Sequence, residues 1–344
     1  MTALETRLRK LDPAVHALKA NDGIVYLAPG LQGRIFCAFG EEMVSKLDFP
    51  LAENPTPGFN NIGGNSLWPA PEGGNFAYNY PDGEWTVQDG INKVPAKITS
   101  CDENGCVMEK AITLKNAKGV NVDLAYERVT KVVDSSSLAE AYSVEALSYT
   151  SLDSFTALGD YKVEDVLCSA WTLEQFPGSD GIIGFGKFGK KGAAAKEVIN
   201  DDFYGDPLKR IRFTEDLFLF NLGGPERLQI GFKKDCSPEY LGAWDAKRNI
   251  LIIRHTPPVE GTYINIADNE QKNGPYSTED MYSIFNGAEL NFFELETIAP
   301  MNVEDGFFRS SVLYSQTWIF RGDKEKLAAL LEKQYKINAK EIFA

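Results

Sequence analysis

Asn291-Phe292-Phe293-Glu294-Leu295-Glu296 reads as a strand near the end of the β-rich part of the chain. Residues two apart on a strand leave from one face, so Glu294 and Glu296 stand side by side, roughly 6.6 Å apart at about 3.3 Å per residue. Phe293 and Leu295 then turn the other way, toward a core. Two carboxylates on one face repel unless they are solvated or partnered, and burial would lift one toward the pKa range of a general base. A solvated outer face fits the same pattern. The Thr-Ile-Ala-Pro-Met that follows (297–301) is less polar than an ordinary exit turn and weighs against that bland reading.

A second candidate lies early in the chain. Asn60 to Gly74, NNIGGNSLWPAPEGG, places two Gly-Gly pairs around Leu67-Trp68-Pro69-Ala70-Pro71-Glu72. Glycine permits close backbone approach and proline freezes φ, so the stretch reads as a rigid loop. Its Trp68 offers a stacking face, and Asn61, Asn65 and Glu72 offer hydrogen bonds to the edge of a flat polar ligand. The same residues also suit a surface loop whose tryptophan fills a gap in the core. Asn249 to Thr256, NILIIRHT, is the third candidate: alternation puts Arg254 with Ile250 and Ile252, and His255 with Leu251 and Ile253. At a strand end His255 could act as an acid or base and Arg254 could hold a carboxylate or sugar hydroxyls, although a lone histidine near a core strand is more often structural.

Other chemistries find little support. The chain has two histidines, His16 and His255, which excludes a multi-histidine metal site, and no GxSxG elbow is present. Gly184-Phe185-Gly186-Lys187-Phe188-Gly189 matches GxGxxG, but the acids after it, Asp201 and Asp202, sit in a loop-like NDDFYGD and not at the end of an apolar strand. A flexible hairpin or loop is the better reading there, so no cofactor is expected. The five cysteines are irregularly spaced, which suits reduced thiols in a cytoplasm, with no histidine near them in sequence; Cys101 and Cys106 flank a turn and could cross-link a hairpin in an exported protein.

Against 35 Lys and Arg stand 49 Asp and Glu, a net charge of −14. The densest basic stretch, Lys187 to Lys196, holds four lysines and only Phe188 as an aromatic neighbour. Neither a nucleic acid nor an anionic membrane is an expected partner. The charged N-terminus lacks the apolar core of a secretory signal, so a cytoplasmic location is expected, or a periplasmic one if a leader has been removed.

The elements that must position these residues are mostly strands. Leu4, Leu8 and Leu11 fall at helical spacing, predicting a helix over about 2–20, and Leu327, Leu330, Leu331 and Tyr335 predict another over about 323–343. Between them, runs such as GIVYLA, RIFCAF, VNVDLAYERV, RLQIGFK and NILIIRHT are set off by Gly, Pro, Asn or Asp, without long helices between them. That spacing argues an all-β chain of antiparallel sheets in one large domain over 1–344, with helical ends. Trp171, Trp244 and Trp318 lie on or beside strands and read as core, whereas Trp68 and Trp85 lie in loops and are better placed to stack on a ligand.

The order GGNSLWPAPEGG, then Trp171-Thr-Leu-Glu-Gln-Phe, then Glu294-Leu-Glu-Thr-Ile-Ala-Pro, closing on Gln316-Thr-Trp318-Ile, resembles uncharacterised bacterial proteins related to the galactose mutarotase (aldose 1-epimerase) superfamily. The resemblance covers about residues 23–322. It implies a β-supersandwich with a carbohydrate site on a concave face, and a small-molecule sugar as partner. In mutarotases a late glutamate in a Leu-Glu-Thr-like context takes the proton of the anomeric hydroxyl while a histidine donates to the ring oxygen. Leu295-Glu296-Thr297 is the matching segment, so the resemblance implies Glu296 as base; an enzyme of this kind would use His255 or Glu72 as acid, Trp68 and Asn61 as sugar contacts and Arg254 as an orienting group. The chain departs from that pattern at Ile62, where mutarotases carry a histidine before Gly-Gly, and has no evident second histidine at mid-chain. A non-catalytic carbohydrate-binding or sensing protein is the alternative.

Overall fold

Short strands joined by tight turns satisfy their backbone groups by antiparallel pairing, and this chain does so in two large sheets. A computed structural model describes residues 2–203, 205–267, 273–277 and 279–343. Among them, one sheet has ten strands in the order His16–Ala20, Gly23–Ala28, Arg34–Phe39, Gly64–Ala70, Ser169–Pro177, Phe292–Ile298, Asp280–Asn286, Leu228–Lys233 and Ile199–Asn200, with Glu42–Met43 paired to Arg34–Phe39. The other has eleven, its middle formed by the neighbours Pro238–Asp245, Ile250–His255, Phe307–Arg321, Glu145–Lys162 and Asn121–Val132. All the strand pairings are antiparallel, as the spacing of the turn signals predicts. No helix among the described residues is long and apolar enough to cross a membrane.

Apolar side chains from both sheets, among them Phe176, Phe293, Leu295, Ile250, Ile252 and Ile319, form the core between them. The C-terminal helix Lys324–Leu330 and the turns after it pack Leu327, Leu330, Leu331 and Tyr335 on the outer face of the eleven-stranded sheet, against Leu251, Ile253 and Phe320. That sheet is therefore covered on both sides at this end. The outer face of the ten-stranded sheet is instead left to form a cavity.

Three local expectations change. The N-terminal helix covers only Ala3–Leu11, capped by Thr2 Oγ1 accepting from the Glu5 amide at 3.0 Å. Pro13 disfavours helical backbone at Asp12, whose carboxylate accepts instead from the amides of Ala14 and Gly30. The chain then turns into the strand His16–Ala20, so His16 is a strand residue. The fold also carries it to the Cys101–Cys106 pair, which forms a disulfide across a hairpin, with the three side chains bringing ligand atoms within 4.8 Å of one another.

The stretch read as a rigid loop contains the strand Gly64–Ala70, seated between Arg34–Phe39 and Ser169–Pro177. Its glycines and prolines serve that placement. A Cβ on Gly63, at φ +99°, would lie 2.1 Å from the Lys46 carbonyl oxygen. Pairing to Arg34–Phe39 is confined to Ile35 and Asn65, which leaves Pro69 where one side of the strand has no ladder to break. The GxGxxG stretch also lies in a strand, Ile182–Phe188, and not in a flexible loop. Gly186 is needed there because the Phe218 ring packs where its Cβ would stand.

A charged layer crosses the core. Arg128 and Asp153, both fully buried, meet at 2.6 Å, and Arg128 also donates to the backbone oxygen of Asn65 at 2.8 Å and to its side-chain oxygen at 2.6 Å. Arg254 pairs with Glu174 at 3.2 Å and donates to the Leu295 carbonyl. Tyr149 and Thr317 donate to the two Glu174 oxygens at 2.8 and 2.9 Å. Removing one member of such a pair strands its partner's charge. Asp153→Ala is therefore expected to lower unfolding stability by about 3–5 kcal/mol, read from urea denaturation; a loss below about 1 kcal/mol, as for an exposed pair, would show that the pair carries no such constraint.

Candidate functional site

The three strands Gly64–Ala70, Ser169–Pro177 and Phe292–Ile298 lie side by side, and their registers align alternate residues into rows. Gln175 stands opposite Gly64 on one side and Glu294 on the other; Leu173 stands opposite Ser66 and Glu296; Trp171 stands opposite Trp68 and Ile298. Asp280–Asn286 and Leu228–Lys233 extend the first row with Phe285 and Gln229. Alternation sends these side chains to the outer face while Asn65, Glu174, Phe293 and Leu295 face the core. The outer rows floor a cavity of about 710 Å³, walled by residues from the segments 59–61 and 72–85.

Aromatic side chains make much of the wall. Trp68 meets Trp171 and Phe59 edge-on at 6.3 and 5.5 Å between ring centroids, and Phe59 in turn meets Trp85 at 5.9 Å. Trp85 is 46 % exposed at the mouth, and its indole N–H donates to Glu72 at 3.1 Å. Phe285 and Phe292 close the other side.

The polar groups converge on the floor. Glu294 accepts from Gln175 Nε2 at 2.8 Å, and the same amide nitrogen lies 2.8 Å from Asn61 Oδ1. Glu296 accepts from the Trp171 indole N–H at 2.9 Å and from Gln229 Nε2 at 3.3 Å. The two carboxyls are neighbours on one face of their strand, close enough to act on each other's ionisation. Burial pushes Glu294 up to about 7, with Gln175 opposing and the Glu72 charge adding to the rise. Burial and then the neighbouring Glu294 charge hold Glu296 well above the ordinary carboxylate range. The pair thus holds its protons more tightly than exposed carboxyls would, and Glu294 is poised between its two forms near neutrality. Burial also raises Glu72, against the pull of the Trp85 donor.

Of the residues singled out in the sequence, the cavity brings together Glu294, Glu296, Asn61, Trp68 and Glu72. It does not include the other three. Asn65 is on the inner face, donating to the Tyr149 hydroxyl and accepting from Arg128. Arg254 shares the inner face with Ile250 and Ile252, as alternation predicts, and is spent on Glu174 inside the core. His255 points to the outer face of the eleven-stranded sheet, where Nδ1 meets the Glu239 carbonyl at 2.8 Å and the ring packs against Tyr240. The alternation that places it correctly on its strand also takes it to the far side of the molecule from the carboxyl pair.

Sequence reasoning missed Gln175, Gln229 and Arg34 and read Trp171 as plain core. Trp171 is buried, yet its ring lines the cavity and its N–H holds Glu296. A signal existed for Trp171, Leu173 and Gln175: they alternate in SAWTLEQF, opposite the side taken by Thr172 and Glu174. None existed for Gln229, which reaches Glu296 only through strand order.

Residues 5–344 match the sequence profile of a family of unknown function (DUF6786), and the chain belongs to that family. No curated protein matches it. Among solved structures it is similar to a galactose mutarotase related enzyme from Lactobacillus acidophilus, with 9% identity and a TM-score of 0.48 over 90% of this chain and 97% of that one. It is also similar to a galactose mutarotase-like protein from Lactobacillus casei ATCC 334, with 7% identity and a TM-score of 0.45 over 89% and 99%. A 4-alpha-glucanotransferase from Thermococcus litoralis shares 10% identity at a TM-score of 0.35, over 91% of this chain and 40% of its own.

The raised Glu294 makes stability depend on pH. Its folded pKa, about 7, exceeds the ordinary 4.5, so the folded state binds the proton more tightly. That contribution is fully present below about pH 4.5 and is lost as pH rises through about 7. A shift of this size corresponds to something on the order of 3 kcal/mol between the two ends of the window. Urea titrations at pH 5 and pH 8 should show a smaller loss of stability in Glu294→Gln than in the wild type; equal losses would mean that the carboxyl is not desolvated.

Proposed function

We propose that this cavity binds a monosaccharide or sugar acid and exchanges its anomers, as an aldose 1-epimerase-like isomerase in which the Glu294–Glu296 pair supplies both proton-transfer groups. The observation that carries this reading is the pair of neighbouring carboxyls, both raised by burial and Glu294 to about 7, on the floor of an aromatic-walled cavity. Aromatic faces suit the apolar C–H faces of a sugar ring, and the amides of Gln175, Gln229 and Asn61 suit its hydroxyls.

Anomer exchange needs a base and an acid at once. Ionised Glu294 takes the proton of the anomeric hydroxyl, and its electron pair forms the open-chain carbonyl. The bond from the anomeric carbon to the ring oxygen breaks, and Glu296 gives its proton to that oxygen. Glu294 then carries a proton and Glu296 a charge. Rotation about the bond between the carbonyl carbon and C2 presents the other carbonyl face, and the reverse transfers close the ring as the other anomer. No net proton is consumed, and no cofactor enters the balance. The roles differ from the resemblance-based expectation, which made Glu296 the base: of the two carboxyls, Glu294 is the more readily ionised.

The test is NMR exchange spectroscopy or polarimetry on freshly dissolved aldoses and uronic acids. The expected result is accelerated exchange that falls about 10²–10⁴-fold in Glu294→Gln, the range for losing a positioned acid or base. The rate should also decline as pH drops below about 7, where Glu294 takes up its proton. Sugar binding without any acceleration would instead identify a non-catalytic carbohydrate-binding protein. An accelerated rate unchanged in both Glu294→Gln and Glu296→Gln would remove the pair from the chemistry.

A further inference from the structure

Arg34 is the cavity residue that the carboxyl pair leaves unexplained. It is 1 % exposed, yet its side chain lines the cavity. Its Nε donates to the Gln32 side-chain oxygen at 2.8 Å and its Nη1 to the Gly63 carbonyl at 2.5 Å. These are neutral acceptors, and they leave Nη2 without an acceptor among the described residues. The other two fully buried arginines are handled differently: Arg128 is paired with Asp153 and Arg254 with Glu174. Arg34 belongs to none of the ion pairs among the described residues. Burial accordingly pulls its pKa down to about 10, with the Glu294 charge opposing only in part. A buried guanidinium with no anion against it is costly, and folds retain such a group where something else supplies the charge.

We propose that Arg34 is a binding residue for a carboxylate carried by the sugar, so that the ligand class is the uronic or related sugar acids. This rests on the carbohydrate reading above. The fork of Arg34 is fixed on two of its nitrogens by Gln32 and Gly63, which leaves a preset edge for an incoming anion. A carboxylate fits this supply better than a phosphate dianion would. The second arginine at the cavity, Arg227, is already paired with Glu289 at 2.7 Å, so Arg34 is the guanidinium lining it that has no ion pair among the described residues. Gln175 and Asn61 then address hydroxyls, and the carboxyl pair addresses the anomeric centre.

The experiment is isothermal titration of the full chain with matched ligands: D-galactose against D-galacturonate, D-glucose against D-glucuronate, and D-glucose 6-phosphate as the phosphate arm. The wild type is expected to bind each uronate about ten- to a hundredfold tighter than its neutral parent, as for a hydrogen bond between charged groups. Arg34→Gln should bring that ratio close to one, and Arg34→Lys, which keeps the charge without the fork, should recover part of it. Folding of each variant is checked by its thermal transition; if Arg34→Gln does not fold, the wild-type ratio and the Arg34→Lys ratio decide. Neutral sugars binding as tightly as their acids would overturn this inference and leave the carbohydrate reading intact. Tighter binding of the 6-phosphate than of either uronate would overturn the carboxylate assignment. No binding of any member at millimolar concentrations would overturn the carbohydrate reading itself.

Discussion

Two buried guanidinium groups in the eleven-stranded sheet hold the site strands of the other sheet from behind. Arg128 donates to the backbone and side chain of Asn65, fixing Gly64–Ala70. Arg254 pairs with Glu174 on Ser169–Pro177 and donates to the Leu295 carbonyl on Phe292–Ile298. The three strands that floor the cavity are thus tied through their inner faces to one charged layer. Such a layer is a poor source of net stability, because desolvation cancels much of the Coulombic attraction. It does impose register. A slip of one residue would expose the anchors and bury the cavity residues in their place. Trp171, Leu173 and Gln175 face outward because Thr172 and Glu174 are held inward.

The same low-dielectric surroundings act with opposite sign on the two faces. On the inner face every buried carboxylate of this layer has a cation, Asp153 with Arg128 and Glu174 with Arg254. On the outer face Glu294 and Glu296 have amide, indole and hydroxyl donors and no ion pair among the described residues. Hydrogen bonds of that kind orient a carboxyl without neutralising it, so desolvation prevails and both pKa values rise. At adjacent strand positions, the sequence places Glu174 in an ion pair with Arg254 and Gln175 beside a glutamate whose charge is disfavoured. The difference is set by which sheet face each occupies.

Periodicity carried much of this, and connectivity the rest. Alternation alone put Glu294 and Glu296 on one face and Phe293 and Leu295 on the other, and it put Arg254 and His255 on opposite faces. It says nothing about which sheet a strand joins, and that is where the reading of His255 and Arg254 parted from the structure: both sit in the eleven-stranded sheet, one inward and one outward, and neither direction leads to the cavity. Asn65 parted for a different reason. Its glycines and prolines suit a loop, where all polar residues can converge; as a strand, Gly64–Ala70 has to send alternate residues to opposite faces, so Ser66 and Trp68 reach the cavity and Asn65 does not. Arg34 was hidden in RIFCAF, a run whose apolar character advertises core.

Ile62 acquires a physical meaning from the same geometry. The sequence resemblance would place a histidine there, but Ile62 packs with Leu4, Leu8 and Phe36 beneath the N-terminal helix, outside the set of residues that line the cavity. A polar ring at that position would be buried among apolar side chains. A histidine there would not reach the cavity, whose floor carries Glu294 and Glu296, both raised by burial. The acid and base roles proposed for the cavity thus fall on one strand, and Arg34, from another strand, lines the same cavity.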